Sequence, residues 1–301
     1  MLLQATCPAK LNLTLSIVGR RADGFHALVS LVVPVALADM LVLEDNVDGA
    51  DDTLTVESAE AGETVPAGPD NLVLKAVSAF REATGSALGT GIQFSLTKRI
   101  PAGSGLGGGS SDAATALELL NQRAGSPLDA AALSALAAKI GSDCPLFLRR
   151  GAVIMRGRGE ILEAVRPAWV ERMRGRAVLL FRPDFGIQTA WAYRTLAEGA
   201  QGQYTSSADA EAALADCIGK LDAPGYEPSN DLAPIAFGKY LALPSLLQTL
   251  RQDLGLVAQM TGSGSACFAL APEGGGFDEA MALIRECWGP RAWVESSVLK
   301  P

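Results

Sequence analysis

Five glycines fall within the seven residues from Gly103 to Gly109, in the run Gly103-Ser104-Gly105-Leu106-Gly107-Gly108-Gly109-Ser110-Ser111-Asp112. An alanine- and leucine-rich stretch of helical character follows directly. Glycines at a helix start leave backbone N–H groups unshielded and aimed at whatever occupies the positive end of the helix, and that chemistry is phosphate binding. Gly103-x-Gly105-x-x-Gly108 has the form of the dinucleotide fingerprint, but a Rossmann unit needs a second strand carrying an acid about 20 positions on. Here a second helix follows instead. No GxxxxGK[ST] occurs, so Walker A is excluded. The plainer alternative is a spacer or tight turn, although glycine runs held between ordered elements seldom serve only as spacers. Thr261-Gly262-Ser263-Gly264-Ser265 is a second glycine loop, either a turn needing positive φ or a second wall of a phosphate site.

Single side chains add to this. Asp143 comes just after the helix terminator Gly141 and before Cys144-Pro145. A carboxylate there can act as a base, or simply cap a turn. Lys10 and Asn12 share one face of an alternating segment, where a lysine is either functional or an ordinary surface residue. His26 is the only histidine. Alone it builds neither an HExxH helix nor a two-histidine metal site, and a Ser-His-Asp triad would have to form around it, so most hydrolase readings fall. A hydrogen-bonding role, structural or at a ligand's edge, suits it better.

The elements that position these residues are legible in outline. From Lys10 to Ile17 apolar and polar residues alternate, which predicts a strand with Leu11, Leu13, Leu15 and Ile17 on one face and Lys10, Asn12, Thr14 and Ser16 on the other. Residues 25–43 are apolar and β-branched enough for one or two strands. Asp70 or Asn71 can cap a helix through Val73, Val77 and Phe80 that Gly85 ends, and 92–100 reads as a strand. The helix after the glycine run stops at Gly125. Ser126, Pro127 and Asp129 open the next, which Gly141 closes. Segment 166–175 has little periodicity and is the candidate domain boundary. Beyond it come strand 178–181, helices 189–197, 208–221 and 245–254, strand 266–270, helix 277–288 and strand 292–298.

Composition bounds the rest. A chain of 301 residues with 49% apolar content supports about two packed domains. Acidic residues number 33 against 25 basic ones, and the excess lies in segment 44–68: Glu44, Asp45, Asp48, Asp51, Asp52, Glu57, Glu60 and Glu63, with no Lys or Arg among them. No basic block favours nucleic acid. The five cysteines form no CxxC pair and are odd in number, which fits a reducing, cytoplasmic compartment. The apolar run 27–38 is too short to span a bilayer and contains Pro34, so no membrane association is expected.

Taken in order, Pro8-Ala-Lys-Leu-Asn-Leu13, Gly19-Arg-Arg-Ala-Asp-Gly-Phe-His26, Pro101-Ala102 with the glycine run to Ala114, Gly141-Ser-Asp-Cys-Pro145 and Met260-Thr-Gly-Ser-Gly-Ser265 resemble the GHMP kinase superfamily. Within it they are most similar to the 4-diphosphocytidyl-2-C-methyl-D-erythritol kinase branch, and the resemblance covers essentially the whole chain. It implies an α+β, two-domain GHMP kinase fold. Residues 1–168 would form an ATP-binding domain like ribosomal protein S5 domain 2, and 169–301 a ferredoxin-like domain. The activity implied is transfer of the ATP γ-phosphoryl group, with Mg2+, to the 2-hydroxyl of a cytidine diphosphate sugar alcohol in non-mevalonate isoprenoid synthesis. Asp143 would be the base and Lys10 its charged partner. ATP would meet Asn71 and Lys98 at its nucleoside end, and Pro101, Ala102 and Gly103 through Ser111 at its phosphates. Asn12, Phe25, His26, Thr189, Tyr193, Gly262, Ser263 and Gly264 would meet the acceptor, Tyr193 by stacking on cytosine. Ser110 and Ser111 are candidate magnesium ligands, although a first-turn serine is as often only a helix cap.

Three departures from the family pattern stand out. Phe25 replaces the usual tyrosine, keeping a stacking face without its hydroxyl. Cys7 and Cys144 stand where alanine and a β-branched residue are common, and Ser104 interrupts the glycine run. Two other readings share the loop: a homoserine or mevalonate kinase, and a nucleotide-binding regulator without catalysis. Phe25, His26 and Tyr193 argue against the first, Lys10 and Asp143 against the second.

Overall fold

A computed structural model describes residues 2–46, 51–58, 65–89, 91–199, 204–223, 226–272 and 274–301. They fall into two compact units that the chain enters more than once. The first contains Met1–Ala9, Leu37–Ala102 and Gly107–Arg150, the second Lys10–Ala36, Gly103–Leu106 and Gly151–Pro301. Two long strands, β1 (Leu3–Arg20) and β2 (His26–Asp45), have residues in both. Segment 166–175 is structured. It carries α5 (Pro167–Met173), whose Trp169 and Met173 are buried.

In the first unit, β3 (Thr53–Ser58) pairs parallel with β4 (Ile92–Lys98), and β4 pairs antiparallel with Met40–Asp45 of β2. Parallel neighbours need a crossover, and α1 (Leu72–Thr84) lies in it. Val73, Val77 and Phe80 of α1 pack with Leu41, Phe94 and Leu117 in one apolar cluster. Between the two capping candidates the structure selects Asn71: its side chain accepts the Val73 N–H at 2.9 Å and donates to the Pro66 carbonyl at 2.7 Å. α2 (Gly108–Arg123), α3 (Ala130–Ile140) and α4 (Cys144–Leu148) follow. Asp129 caps α3 through the Ala132 N–H at 2.8 Å.

Strand β3 escaped the sequence reading because it lies inside the acidic stretch, where charge hides the short β-branched run Thr53-Leu-Thr-Val56. Part of that stretch is spent on ion pairs. Asp52 takes the Arg81 guanidinium with both oxygens, at 2.8 and 2.7 Å, and Asp45 takes Arg123 at 2.7 Å. Asp48, Glu60 and Glu63 lie outside the described residues.

In the second unit, Leu28–Val32 of β2 pair antiparallel with β5 (Val153–Gly157), which forms a hairpin with β6 (Ile161–Ala164). After α5 come β7 (Ala177–Arg182), α6 (Thr189–Glu198), α7 (Ser207–Lys220), α8 (Ala233–Lys239), α9 (Ala242–Gln252), β8 (Val257–Met260), β9 (Cys267–Leu270), α10 (Asp278–Trp288) and β10 (Trp293–Val298). The last four strands form an antiparallel sheet in the order β10-β7-β9-β8, the ferredoxin-like order expected for this half. Both faces of β1 are covered, since Lys10, Asn12, Thr14 and Ser16 are buried along with the apolar residues opposite them. Segment 229–231 covers part of the polar face. Thr14 Oγ1 lies 2.7 Å from Ser229 Oγ, and Asp231 accepts the Ile17 N–H at 2.7 Å.

Loss of a cap that holds one end of a core helix costs about 1 kcal/mol. Asn71→Ala is expected to lower stability by that amount in urea denaturation, whereas Asn71→Asp keeps the accepting oxygen and recovers most of it.

Candidate active site

The glycine run divides its work between the units. In the first, Gly107 occupies the N-cap of α2 with φ 77°, and no side chain caps the helix. The Ser111 N–H closes the first helical bond, to the Gly107 carbonyl at 2.9 Å. Helix geometry leaves the Gly108, Gly109 and Ser110 amides without an intrahelical acceptor, at the positive end of a 16-residue dipole. That is an anion site made of main chain. α4 packs against α2, and the Cys144 thiol hydrogen-bonds Ser110, so the segment carrying Asp143 lies beside this first turn. Burial pushes the Cys144 thiol up to about 11, which leaves it inert at neutral pH. Asp143 is half-buried at the N-cap position of α4, and its carboxylate makes no capping bond. The turn-capping reading of Asp143 therefore finds no support.

The Lys98 ammonium is buried between Asp39 and Asp112, with the Asp112 bond at 2.8 Å. Asn71, expected at the nucleoside end of ATP, uses its side chain to cap α1. Pro101 is buried and Ala102 exposed.

In the second unit, Lys10 is 5% exposed, which removes the surface-lysine reading. Its Nζ donates to Asn12 Oδ1 at 2.5 Å and to the Gly105 carbonyl at 2.8 Å. Asn12 Nδ2 donates to Ser30 Oγ at 2.8 Å, which fixes the amide so that its oxygen faces Lys10. The main chain adds a bond from the Lys10 N–H to the Leu106 carbonyl at 2.9 Å, and the Asn12 N–H donates to Thr261 Oγ1 at 2.8 Å. Leu106 itself is buried, and the Ser104 carbonyl accepts the Ala266 N–H at 3.0 Å.

The two glycine loops meet here. A Cβ on Gly105 would lie 2.8 Å from the Thr261 carbonyl oxygen, and one on Gly262 would lie 3.3 Å from Lys10 Nζ. Gly262 and Gly264 have positive φ, as the turn reading requires, and the loop packs against segment 103–106. Asn230, which sequence reasoning missed, anchors it by donating to the Met260 and Gly262 carbonyls at 2.8 and 2.9 Å. Only its long-range partners mark it out, so no local signal was available.

A third group surrounds His26. Its ring lies 5.1 Å from that of Tyr193 and 5.8 Å from that of Tyr204, and its buried Nε2 has no hydrogen-bond partner among the described residues. Burial, with repulsion from Arg20, holds the imidazole below its ordinary range, so it is neutral at pH 7. Thr189 Oγ1 sits 2.7 Å from Ser263 Oγ, tying the start of α6, and with it Tyr193 one turn later, to the second loop. Phe25 is exposed, with the Arg158 guanidinium 5.2 Å from its ring centre.

The GHMP kinase N-terminal domain matches residues 71–151, and the GHMP kinase C-terminal domain matches 210–286. The 4-diphosphocytidyl-2-C-methyl-D-erythritol kinase of Methylacidiphilum infernorum is 35% identical, covering 95% of this chain and 93% of its own. The kinase of the same name from Synechococcus is 37% identical, covering 97% and 96%. The chain belongs to the GHMP kinases, in the 4-diphosphocytidyl-2-C-methyl-D-erythritol kinase family. A crystal structure of 4-(cytidine 5'-diphospho)-2C-methyl-D-erythritol kinase superposes with a TM-score of 0.73 at 34% identity, covering 98% of this chain and 99% of that one. Homoserine kinase from Cytophaga hutchinsonii, at 19% identity and a TM-score of 0.69, shares the fold. As a family member the chain is an ATP-dependent small-molecule kinase. No helix among the described residues is long and apolar enough to cross a membrane.

Close approach makes Gly105 the more demanding glycine. Gly105→Ala combines φ 86° with a Cβ at 2.8 Å from backbone oxygen, whereas Gly103, at φ 61°, has nothing within 4 Å. Gly103→Ala is expected to cost about 1–2 kcal/mol of backbone strain. Gly105→Ala should cost clearly more, and should lower activity by displacing the carbonyl that Lys10 holds. Urea denaturation and steady-state rates on both variants check this.

Proposed function

We propose that the protein transfers the γ-phosphoryl group of ATP to the 2-hydroxyl of 4-diphosphocytidyl-2-C-methyl-D-erythritol, in non-mevalonate isoprenoid precursor synthesis. The observation that carries this choice of acceptor is the unpartnered Nε2 of a neutral His26 between the rings of Tyr193 and Tyr204. A pyrimidine needs an aromatic face and an edge hydrogen bond, and this group offers both. Phe25, Thr189 and the second loop, Gly262 to Gly264, complete the acceptor side.

Phosphoryl transfer through a loose transition state asks mainly for alignment and charge stabilisation. The amides at Gly107 to Ser110 bind the β- and γ-phosphate oxygens, with segment 101–106 continuing the cradle. Asp143 takes the proton of the acceptor 2-hydroxyl as its oxygen bonds to the γ-phosphorus and the bond to the β-phosphate oxygen breaks, leaving ADP. Lys10 supplies positive charge to the transferring group, and Asn12 orients it. Serine hydroxyls suit magnesium, and that of Ser111 is buried with no partner among the described residues. With Ser110 it would hold a Mg2+ ion, which neutralises phosphate charge when bound. In this reading residues 1–168 form the ATP-binding domain and 169–301 the C-terminal domain. Five free thiols are in keeping with the cytoplasm.

Asp143→Asn keeps shape and hydrogen bonding but removes basicity, so single-turnover transfer to the cytidine diphosphate ester should slow by roughly 10²–10⁴ while binding changes little. Rates within a few-fold of wild type would remove Asp143 from the mechanism.

A further inference from the structure

We infer that Asp39, Lys98 and Asp112 are positioning residues for the phosphate-binding turn, acting from behind the start of α2 and not on the nucleotide. The inference rests on the reading that the Gly107 to Ser110 amides hold the ATP phosphates.

Asp39, on β2, accepts the Arg99 and Ile100 N–H groups with one oxygen, at 2.6 and 2.8 Å, which fixes the chain as it leaves β4 toward the glycines. Its other oxygen takes the Lys98 ammonium, which passes on to Asp112 Oδ2 in α2. A Cβ on Gly108 would meet Lys98 Nζ at 3.0 Å and Ile100 Cγ2 at 3.0 Å, so ammonium and isoleucine fill the space behind the first helical residue. One chain of contacts thus links β2, the end of β4 and the first turns of α2. Burying three charges is a poor way to gain stability, since apolar residues of similar volume do as well or better. Fixing the direction of a helix start is a reason to keep them.

The cluster holds two carboxylates for one ammonium. Burial lowers the affinity of Lys98 for its proton, but the Asp112 and Asp39 carboxylates override this and leave it charged. Burial pushes Asp112 up to about 7, against the pull of Lys98 and with the help of Asp39. Its Oδ1 is buried without a hydrogen-bond partner among the described residues, a place suited to a proton. The Cys7 thiol of β1 also faces the cluster and is held protonated, first by burial and then by Asp112.

The test is calorimetric titration with a non-hydrolysable ATP analogue and Mg2+ on wild type, Asp112→Asn and Asp112→Ala. Amide spectra of the ¹⁵N-labelled protein accompany it. Asp112→Ala should weaken binding about tenfold, with acceptor KM unchanged. Asp112→Asn keeps an oxygen for the Lys98 ammonium and should bind within about threefold of wild type. If the alanine variant does not fold, Asp112→Ser, too short to reach Lys98, takes its place. Wild-type binding by the truncated variant, or a loss in Asp112→Asn as large as in that variant, overturns the inference. Should the analogue leave the Gly107 to Ser110 amides unshifted, the reading of the phosphate site fails, and this inference with it. Shifted amides with unchanged Kd values sink the inference alone.

Discussion

A triphosphate gripped by main-chain amides demands a helix start with no side chains in the way, and such a start has little of its own to hold it in place. α2 begins on an uncapped Gly107, so the usual device for fixing a helix end is absent. Replacement contacts come from the neighbouring chain: Lys98 and Ile100 behind Gly108, the Asp39 bonds to the backbone after β4, and α4 against the first turn. The demand for free amides on one side accounts for the density of contact on the other.

The same economy governs segment 103–106. Gly105 packs so closely on the Thr261 carbonyl that a side chain at 105 would clash, and the Gly105 carbonyl receives the Lys10 ammonium. Lys10 is thereby held by β1, by Asn12 and by the glycine run together. A lysine left free would lose rotamer entropy on meeting a phosphate, whereas this one is ordered beforehand. The second loop owes its own shape to Asn230 and its link to α6 to the Thr189 and Ser263 hydroxyls.

Much of this was legible in the residues. Caps and terminators marked α1 and α3, alternation marked β1, and the glycine run marked the open start of α2 because glycine spacing is local information. What stayed hidden was set by distant partners. Lys98 enters the sequence reading only through the family resemblance, and only the fold brings Asp39, 59 positions away, to its ammonium. One hint was present: Asp39 interrupts an apolar strand, and a lone acid in such company needs a buried partner. Lys10 could be read as an ordinary surface lysine because alternation cannot reveal that segment 229–231 covers part of the polar face of β1. Strand β3 and the short helices α5 and α8 were missed because charge or brevity obscured their periodicity.

The choice of acceptor separates this chain from other kinases of the same fold, and homoserine and mevalonate kinases share its architecture. Coupled ADP release addresses it directly, with 4-diphosphocytidyl-2-C-methyl-D-erythritol, free methylerythritol, homoserine and mevalonate offered at matched concentrations. A stacked base is worth roughly 1–3 kcal/mol by analogy with single-strand binding, and unpaired polar groups in the pocket add to the penalty for lacking it. The cytidine diphosphate ester should therefore exceed each of the others in kcat/KM by at least about tenfold. Equal kcat/KM for the ester and free methylerythritol, or a preference for homoserine or mevalonate, would contradict the account.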